Sequence, residues 1–246
     1  MIFVLLLSCG GGSKNSEFAM DKEEEFTNQK ALAAASSWRG NFQQALKEIN
    51  EAEKINDKDP EVYAIKGAIF FGLRDYAKAE QFYKQAIGLN PNYTPAHFNL
   101  CGLYLEQNNF DGVIAECSEV VADPTYKARA NAYTNIGLAY FNKGDMTRAR
   151  ENYDKALEIN PAFVYAHNEI GKLYMATGRY GEAIFEFQQA ISGYNAYEEA
   201  YYNLGLAYLK TDDNYNACES FRKVVEIAPA SEFGVNSNRY LNSVCQ

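Results

Sequence analysis

Two histidines and four internal cysteines are the residues of this chain best suited to chemistry beyond packing. His97 and His167 are its only imidazoles, and no ligand set or nucleophile–base pattern gathers around either of them. No glycine-rich phosphate loop is present, and no nucleophile has a matching base. The expectation is therefore no enzyme, no cofactor, no metal and no small-molecule substrate. Cys101, Cys117, Cys218 and Cys245 form an even set, which fits two disulfides or four buried thiols acting as small hydrophobes. Which of these holds depends on the elements that carry them.

Those elements follow from spacing. Gly137, Gly171 and Gly205 recur every 34 residues, and Ala149, Ala183 and Ala217 repeat the interval. One unit reads Tyr133, Ile136, Gly137, Tyr140, Ala149, Tyr153, Ala156, Pro161; the next reads His167, Ile170, Gly171, Tyr174, Ala183, Phe187, Ala190. Steps of three and four place these side chains on one helix face. Gly and Ala let two helices approach where they cross, and aromatics fill the wider ends. Lys143-Gly144-Asp145 and Thr177-Gly178-Arg179 supply turns, and a terminal Pro stops the second helix.

A period of 34 belongs to tetratricopeptide repeats, which the chain resembles over about 206 residues. The resemblance implies an all-α fold, a right-handed α-solenoid of six helical hairpins at 26–59, 60–93, 94–129, 130–163, 164–197 and 198–231, closed by a capping helix over 232–246. The first repeat is degenerate, retaining Leu32, Ala33, Ala45 and Ala52. The third is lengthened around Asp123-Pro124-Thr125-Tyr126.

On this frame both histidines fall at the fourth position of a repeat, where Tyr63, Tyr133 and Tyr201 stand elsewhere, and they read as core substitutes for an aromatic. Cys101 replaces the Gly of the third repeat and Cys117 its second-helix aromatic, so the two face each other across a hairpin. Cys218 begins the last second helix and Cys245 falls near the end of the capping helix. Disulfides Cys101–Cys117 and Cys218–Cys245 are expected, with buried thiols as the other reading.

The N-terminus carries a second signal. Met1 to Leu7 is apolar but far shorter than the ~20 residues of a membrane-spanning helix; it suits a secretion signal over 1–8. Leu6-Leu7-Ser8-Cys9 looks like the lipobox of bacterial lipoproteins. That resemblance implies cleavage before Cys9, lipidation of its sulfur and new amine, and, with no Asp at position 10, delivery to the periplasmic face of a bacterial outer membrane. Residues 9–25, beginning Cys9-Gly10-Gly11-Gly12-Ser13, read as a flexible linker. Contact with the membrane would run through the lipid anchor only. A net charge of −9 with no basic stripe argues against nucleic acid as a partner.

In tetratricopeptide stacks the first helices line an inner groove. Here those positions hold Phe71, Phe98, Leu105, Leu138, Phe141 and Tyr165, then Met175, Tyr202, Leu206 and Leu209. So many large apolar groups at surface positions fit a protein partner, in particular an amphipathic helix. Asn99, Asn135 and Asn203 recur at position six; a carboxamide both donates and accepts and can satisfy a ligand backbone. Glu169 at the equivalent place in the fifth repeat disfavours a carboxylate ligand. Self-association, or coverage by the N-terminal segment, remains open for the same stripe.

The segment Asn99-Leu100-Cys101-Gly102-Leu103-Tyr104-Leu105-Glu106-Gln107, the lengthened connection with Tyr126, and Asn135-Ile136-Gly137-Leu138 resemble the outer-membrane lipoproteins called type IV pilus pilotins. That likeness implies a secretin subunit segment bound in the groove and a role in secretin localisation and assembly. A general periplasmic adaptor recruiting other envelope proteins, such as cell-wall hydrolases, is the alternative.

Overall fold

A computed structural model describes residues 14–245; Cys9, the segment 1–8 and the rest of the chain's start lie outside the described residues. Among these the chain is all-α, with thirteen helices and no strand. They are α1 (Lys14–Trp38), α2 (Phe42–Ile55), α3 (Pro60–Gly72), α4 (Tyr76–Leu89), α5 (Thr94–Glu106), α6 (Phe110–Ala122) and α7 (Arg129–Asn142). There follow α8 (Met146–Ile159), α9 (Val164–Ala176), α10 (Tyr180–Gly193), α11 (Glu198–Lys210), α12 (Asn214–Ile227) and α13 (Glu232–Val244). Two compact units divide the chain, the first running to Leu103 and the second starting at Tyr104.

One turn geometry joins the first to the second helix of every repeat. Gly40, Arg74, Asn108, Gly144, Gly178 and Asp212 sit there with φ between 55° and 81°. The next residue donates its N–H to the carbonyl five positions back: Asn41 to Ser36, Asp75 to Phe70, Asn109 to Tyr104, Asp145 to Tyr140, Arg179 to Tyr174 and Asp213 to Tyr208, at 2.8–3.0 Å. That bond satisfies a carbonyl the helix end would orphan. The side chains of Asp75, Asn109, Asp145 and Asp213 then cap the following helix, accepting from the N–H of Lys78, Gly112, Arg148 and Asn216. Between repeats, Asn56, Asn90 and Asn160 fold back to accept from the N–H of Lys58, Asn92 and Ala162, the local bond that makes Asn a turn residue.

Packing within a hairpin turns on a missing methyl. In the second unit Gly137, Gly171 and Gly205 lie against the rings of Tyr153, Phe187 and Phe221; a Cβ on any of them would fall 2.4–2.7 Å from a ring carbon. All three rings are fully buried. In the first unit Gly67 meets Tyr83 in the same way, at 2.4 Å. In the third repeat these two places hold Cys101 and Cys117, both fully buried and both disulfide-bonded. Ala45, Ile49 and Ala52 from α2 join Phe26, Ala33, Val62 and Ile69 in the core of the first unit.

Residues 14–25 depart from the expected linker, because α1 already begins at Lys14. Ala, Met, Lys and Glu dominate this stretch, all strong helix formers, with no Gly or Pro from Lys14 to Arg39. The charge run lies within a helix, with Lys22 to Glu25 exposed, and is not a tether. At the other end of α1, Trp38 stands 94% exposed.

At the C-terminus α13 packs on α11 and α12. Cys218 is bonded to Cys245 with Cα atoms 5.8 Å apart, and the Tyr240 ring stacks on Phe221 at 4.7 Å. Gly171→Ala should lower the unfolding free energy by ~1–3 kcal/mol through overpacking, outweighing a helix-propensity gain of ~1 kcal/mol. In denaturant titrations the double variant with Phe187→Leu should lose less than the sum of the two single changes. Cys245→Ser should cost ~2–4 kcal/mol, and the amides of α13 should then exchange with solvent faster than those of α12.

Candidate functional site

The histidines do structural work. Tyr63 donates its hydroxyl to the Asp57 carbonyl at 2.9 Å. His97 Nε2 stands 2.9 Å from the Pro91 carbonyl and His167 Nε2 3.0 Å from that of Pro161. In each case a polar tip at the fourth position of a repeat ties helix to the turn that precedes it, six residues back. His167 has a second partner, Glu186, whose Oε2 is 2.7 Å from Nδ1. Both partners are acceptors, so both ring nitrogens are best used as donors. The imidazole pKa is accordingly raised, mainly by the bond to Glu186, against desolvation by burial and with help from the Pro161 carbonyl. Among the described residues no group of His, Cys, Asp and Glu could hold a metal ion, and no helix is long and apolar enough to cross a membrane.

One place where the second unit offers something to a ligand is the face built by α7, α9 and α11. These first helices of three successive repeats pack side by side, which brings equivalent positions of neighbouring repeats within reach of one another. A pocket of ≈ 400 Å³ opens there. Asn135 and Leu138 line it from α7, Glu169 from α9 and Glu199 from α11; Phe163, Tyr165 and Tyr197 add aromatic walls. The Tyr165 ring meets Phe163 at 5.5 Å and Tyr197 at 5.7 Å, edge-on in both cases, the arrangement that ring quadrupoles prefer. Tyr165 remains 51% exposed.

Beneath the aromatics runs a polar network. Asn203 Nδ2 donates to Asn168 Oδ1 at 3.1 Å, and Asn168 Nδ2 to Glu169 Oε1 at 3.2 Å. Lys172 Nζ reaches the same Glu169 oxygen at 2.8 Å and Glu199 Oε1 at 3.3 Å. Glu169 Oε2 is buried and has no hydrogen-bond partner. Burial pushes the Glu169 carboxyl pKa up; Lys172 pulls it back and Glu199 adds to the rise.

The residues expected to line a groove are not all equivalent. Asn135, Leu138 and Tyr165 share the pocket. Phe141 and Met175 rest against the core of Tyr153, Ile170 and Phe187. Tyr202 stands beside α13, with Phe233 at 5.3 Å and Tyr240 at 6.3 Å, and Asn203 spends its amide on Asn168. Leu206 and Leu209 are half-buried on α11, Leu105 on α5. In the first unit Phe71 packs on Tyr76 at 5.6 Å, while Phe98 and Asn99 are half-buried on α5. Spacing within single repeats overlooks Phe163, Tyr197 and Glu199. Phe163 and Tyr197 end one repeat and Glu199 is the second residue of the next, so the signal was their recurrence beside position two of the adjoining helix.

Models described as TPR repeat match residues 137–178 and 171–212, and models described as Tetratricopeptide repeat match 39–94, 70–125 and 198–231. The BBSome complex member BBS4 homolog of Drosophila melanogaster is 22% identical over 193 residues, which is 78% of this chain and 39% of that protein. The chain thus spans well under half the length of this curated relative. Among solved structures, pilF of Pseudomonas aeruginosa superposes with a TM-score of 0.77 at 18% identity, covering 89% of this chain and 99% of its own. PilW, a widely conserved type IV pilus biogenesis factor, gives 0.77 at 21% identity, covering 86% and 97%.

The His167–Glu186 pair makes a pH prediction with a definite sign. A histidine whose folded pKa is raised adds stability that is complete below its unfolded pKa of ~6.5 and vanishes as pH climbs through the folded value. The stability gap between the wild-type chain and His167→Gln should therefore be widest near pH 5.5 and shrink steadily towards pH 9, as read from denaturant midpoints at each pH.

Proposed function

The chain belongs to the tetratricopeptide-repeat family, and from that premise we propose that it is an outer-membrane-anchored periplasmic scaffold that assists type IV pilus secretin localisation and assembly. Tetratricopeptide scaffolds are in general non-enzymatic protein-binding modules, and protein binding is the activity this chain's geometry suits. The observation that carries the reading is the α7–α9–α11 face, where Leu138, exposed Tyr165 and the Asn135 amide surround an open pocket. Large apolar groups at the surface beside carboxamides fit a peptide segment, with rings as anchors and amides for its backbone.

Two further observations support the finer assignment. The likeness to pilF and PilW extends over nearly the whole of both those chains. The Leu6-Leu7-Ser8-Cys9 run supplies, by resemblance, the lipid anchor that an outer-membrane scaffold needs. In this scheme lipid sorting carries the scaffold outward while its face holds one secretin segment, masking apolar surface that would otherwise pair prematurely with other subunits. The same scaffold with a different client, a general periplasmic adaptor, is separated from this reading by crosslinking the lipoprotein in its native cells: secretin peptides support the pilus role, and cell-wall hydrolases the adaptor.

Deleting the gene should leave secretin as monomers, and normal secretin rings in the deletion strain would discard the proposal. Leu138→Asp and Tyr165→Asp should each weaken client capture by about 30-fold or more, the loss of a central anchor. Circular dichroism of both variants should match the unaltered chain, since neither side chain is in the core.

A further inference from the structure

We infer that the pocket among Phe163, Tyr165, Tyr197, Glu169 and Glu199 is a receptor for a cationic side chain of the bound protein, an arginine guanidinium above all. The inference rests on the reading of the α7–α9–α11 face as the partner-binding surface and names what one point of that surface recognises.

Charge is the first argument. Two acidic side chains, Glu169 and Glu199, stand against a single ammonium, that of Lys172, so the cluster holds more acidic than basic groups. The shortfall is localised. Glu169 Oε1 accepts from Lys172 and Asn168, while Oε2 is buried without a hydrogen-bond partner. A buried carboxylate oxygen lacking a donor is unfavourable, and the Glu169 side chain, 12% exposed, has little access to water to recover it. Both acidic residues line the pocket, which is why the site selects for a cation and not merely for a polar group.

Shape is the second. Tyr165 meets Tyr197 and Phe163 edge to face, and all three line the pocket. A planar guanidinium lies on such rings with its edge free to donate, a combination that a compact ammonium does not match. The chain already makes this contact with its own residues. The guanidinium carbon of Arg179 is 4.3 Å from the centre of the Tyr174 ring, and that of Arg150 is 5.2 Å from it. A volume of ≈ 400 Å³ is ample for one such side chain on an extended or helical segment.

The test uses the full chain and two small probes, N-acetyl-arginine amide and N-acetyl-citrulline amide, the second keeping shape without charge. Amide NMR shifts at Tyr165, Tyr197 and Glu199 should saturate with the arginine probe. Affinity should fall about tenfold with citrulline, and by a similar factor for Glu169→Gln, in keeping with the loss of one desolvated cation contact. Glu199→Gln, which leaves the buried carboxylate in place, serves as a second variant should Glu169→Gln fail to fold, and should weaken the arginine probe severalfold. Glu151→Gln, an exposed change on α8, should leave binding unaltered. Equal response to the two probes, no saturable response to arginine, or arginine binding untouched by either carboxamide variant overturns the inference. Client capture that depends on Leu138 and Tyr165 while the arginine probe leaves the pocket silent sinks this inference alone. Saturable arginine binding in a chain whose Leu138→Asp variant still captures its client sinks the scaffold reading of the face instead.

Discussion

Four of the six hairpins depend on a backbone bare of its side chain pressed against a buried ring. Gly67, Gly137, Gly171 and Gly205 meet Tyr83, Tyr153, Phe187 and Phe221, and the contact fixes how closely the two helices cross. Because helix packing distance is set by the side chains at the crossing, this choice positions everything downstream in the repeat. The tight A–B crossing leaves the outer edge of the first helix free, and in the second unit those edges come together as α7, α9 and α11. The binding face is thus a by-product of the way each hairpin closes. Its chemistry can vary without touching the crossing, because the glycine and the pocket residue lie on different sides of the same helix: Gly171 faces Phe187, and Glu169 faces the pocket.

Much of this was legible in the residues. A glycine–ring pattern repeated at 34 residues fixes helix, turn and helix in order, and the helices begin and end close to where the pattern changes. The histidines were legible too: a tyrosine at the same place in other repeats, tipped with a donor, marks an aromatic with one polar duty, and the carbonyls of Asp57, Pro91 and Pro161 receive that duty in turn. What escaped has a common cause. Arg74, Asn108 and Asp212 take a left-handed turn without being glycine, because the Schellman bond and, at two of the three junctions, an Asp cap outweigh the local strain. The charged run early in α1 reads as a tether because Lys22 to Glu25 bury nothing, and the core begins only at Phe26.

The pocket illustrates the harder limit. Glu169 belongs to one repeat, Glu199 to the next, and Tyr165 and Tyr197 stand at different positions of their own units. No periodicity within a single repeat relates them, so the cluster exists only once neighbouring first helices lie side by side. Tyr202 has neighbours that its repeat does not announce. Phe233 and Tyr240 of α13 stand beside its ring, leaving it half-buried at the edge of a second open pocket; a terminal helix has no repeat register from which such neighbours could be read. Repeat proteins are therefore transparent along the chain and opaque across it.

One feature carries a practical consequence for anyone watching this protein in solution. Trp38 is the chain's single indole and stands almost wholly in water at the end of α1. Its emission should be solvent-like in the native state and nearly unchanged on denaturation, so intrinsic fluorescence is blind to the loss of the core. The same isolation makes it a clean optical tag for its own neighbourhood: any blue shift on adding another molecule signals that something has dried the junction between α1 and α2.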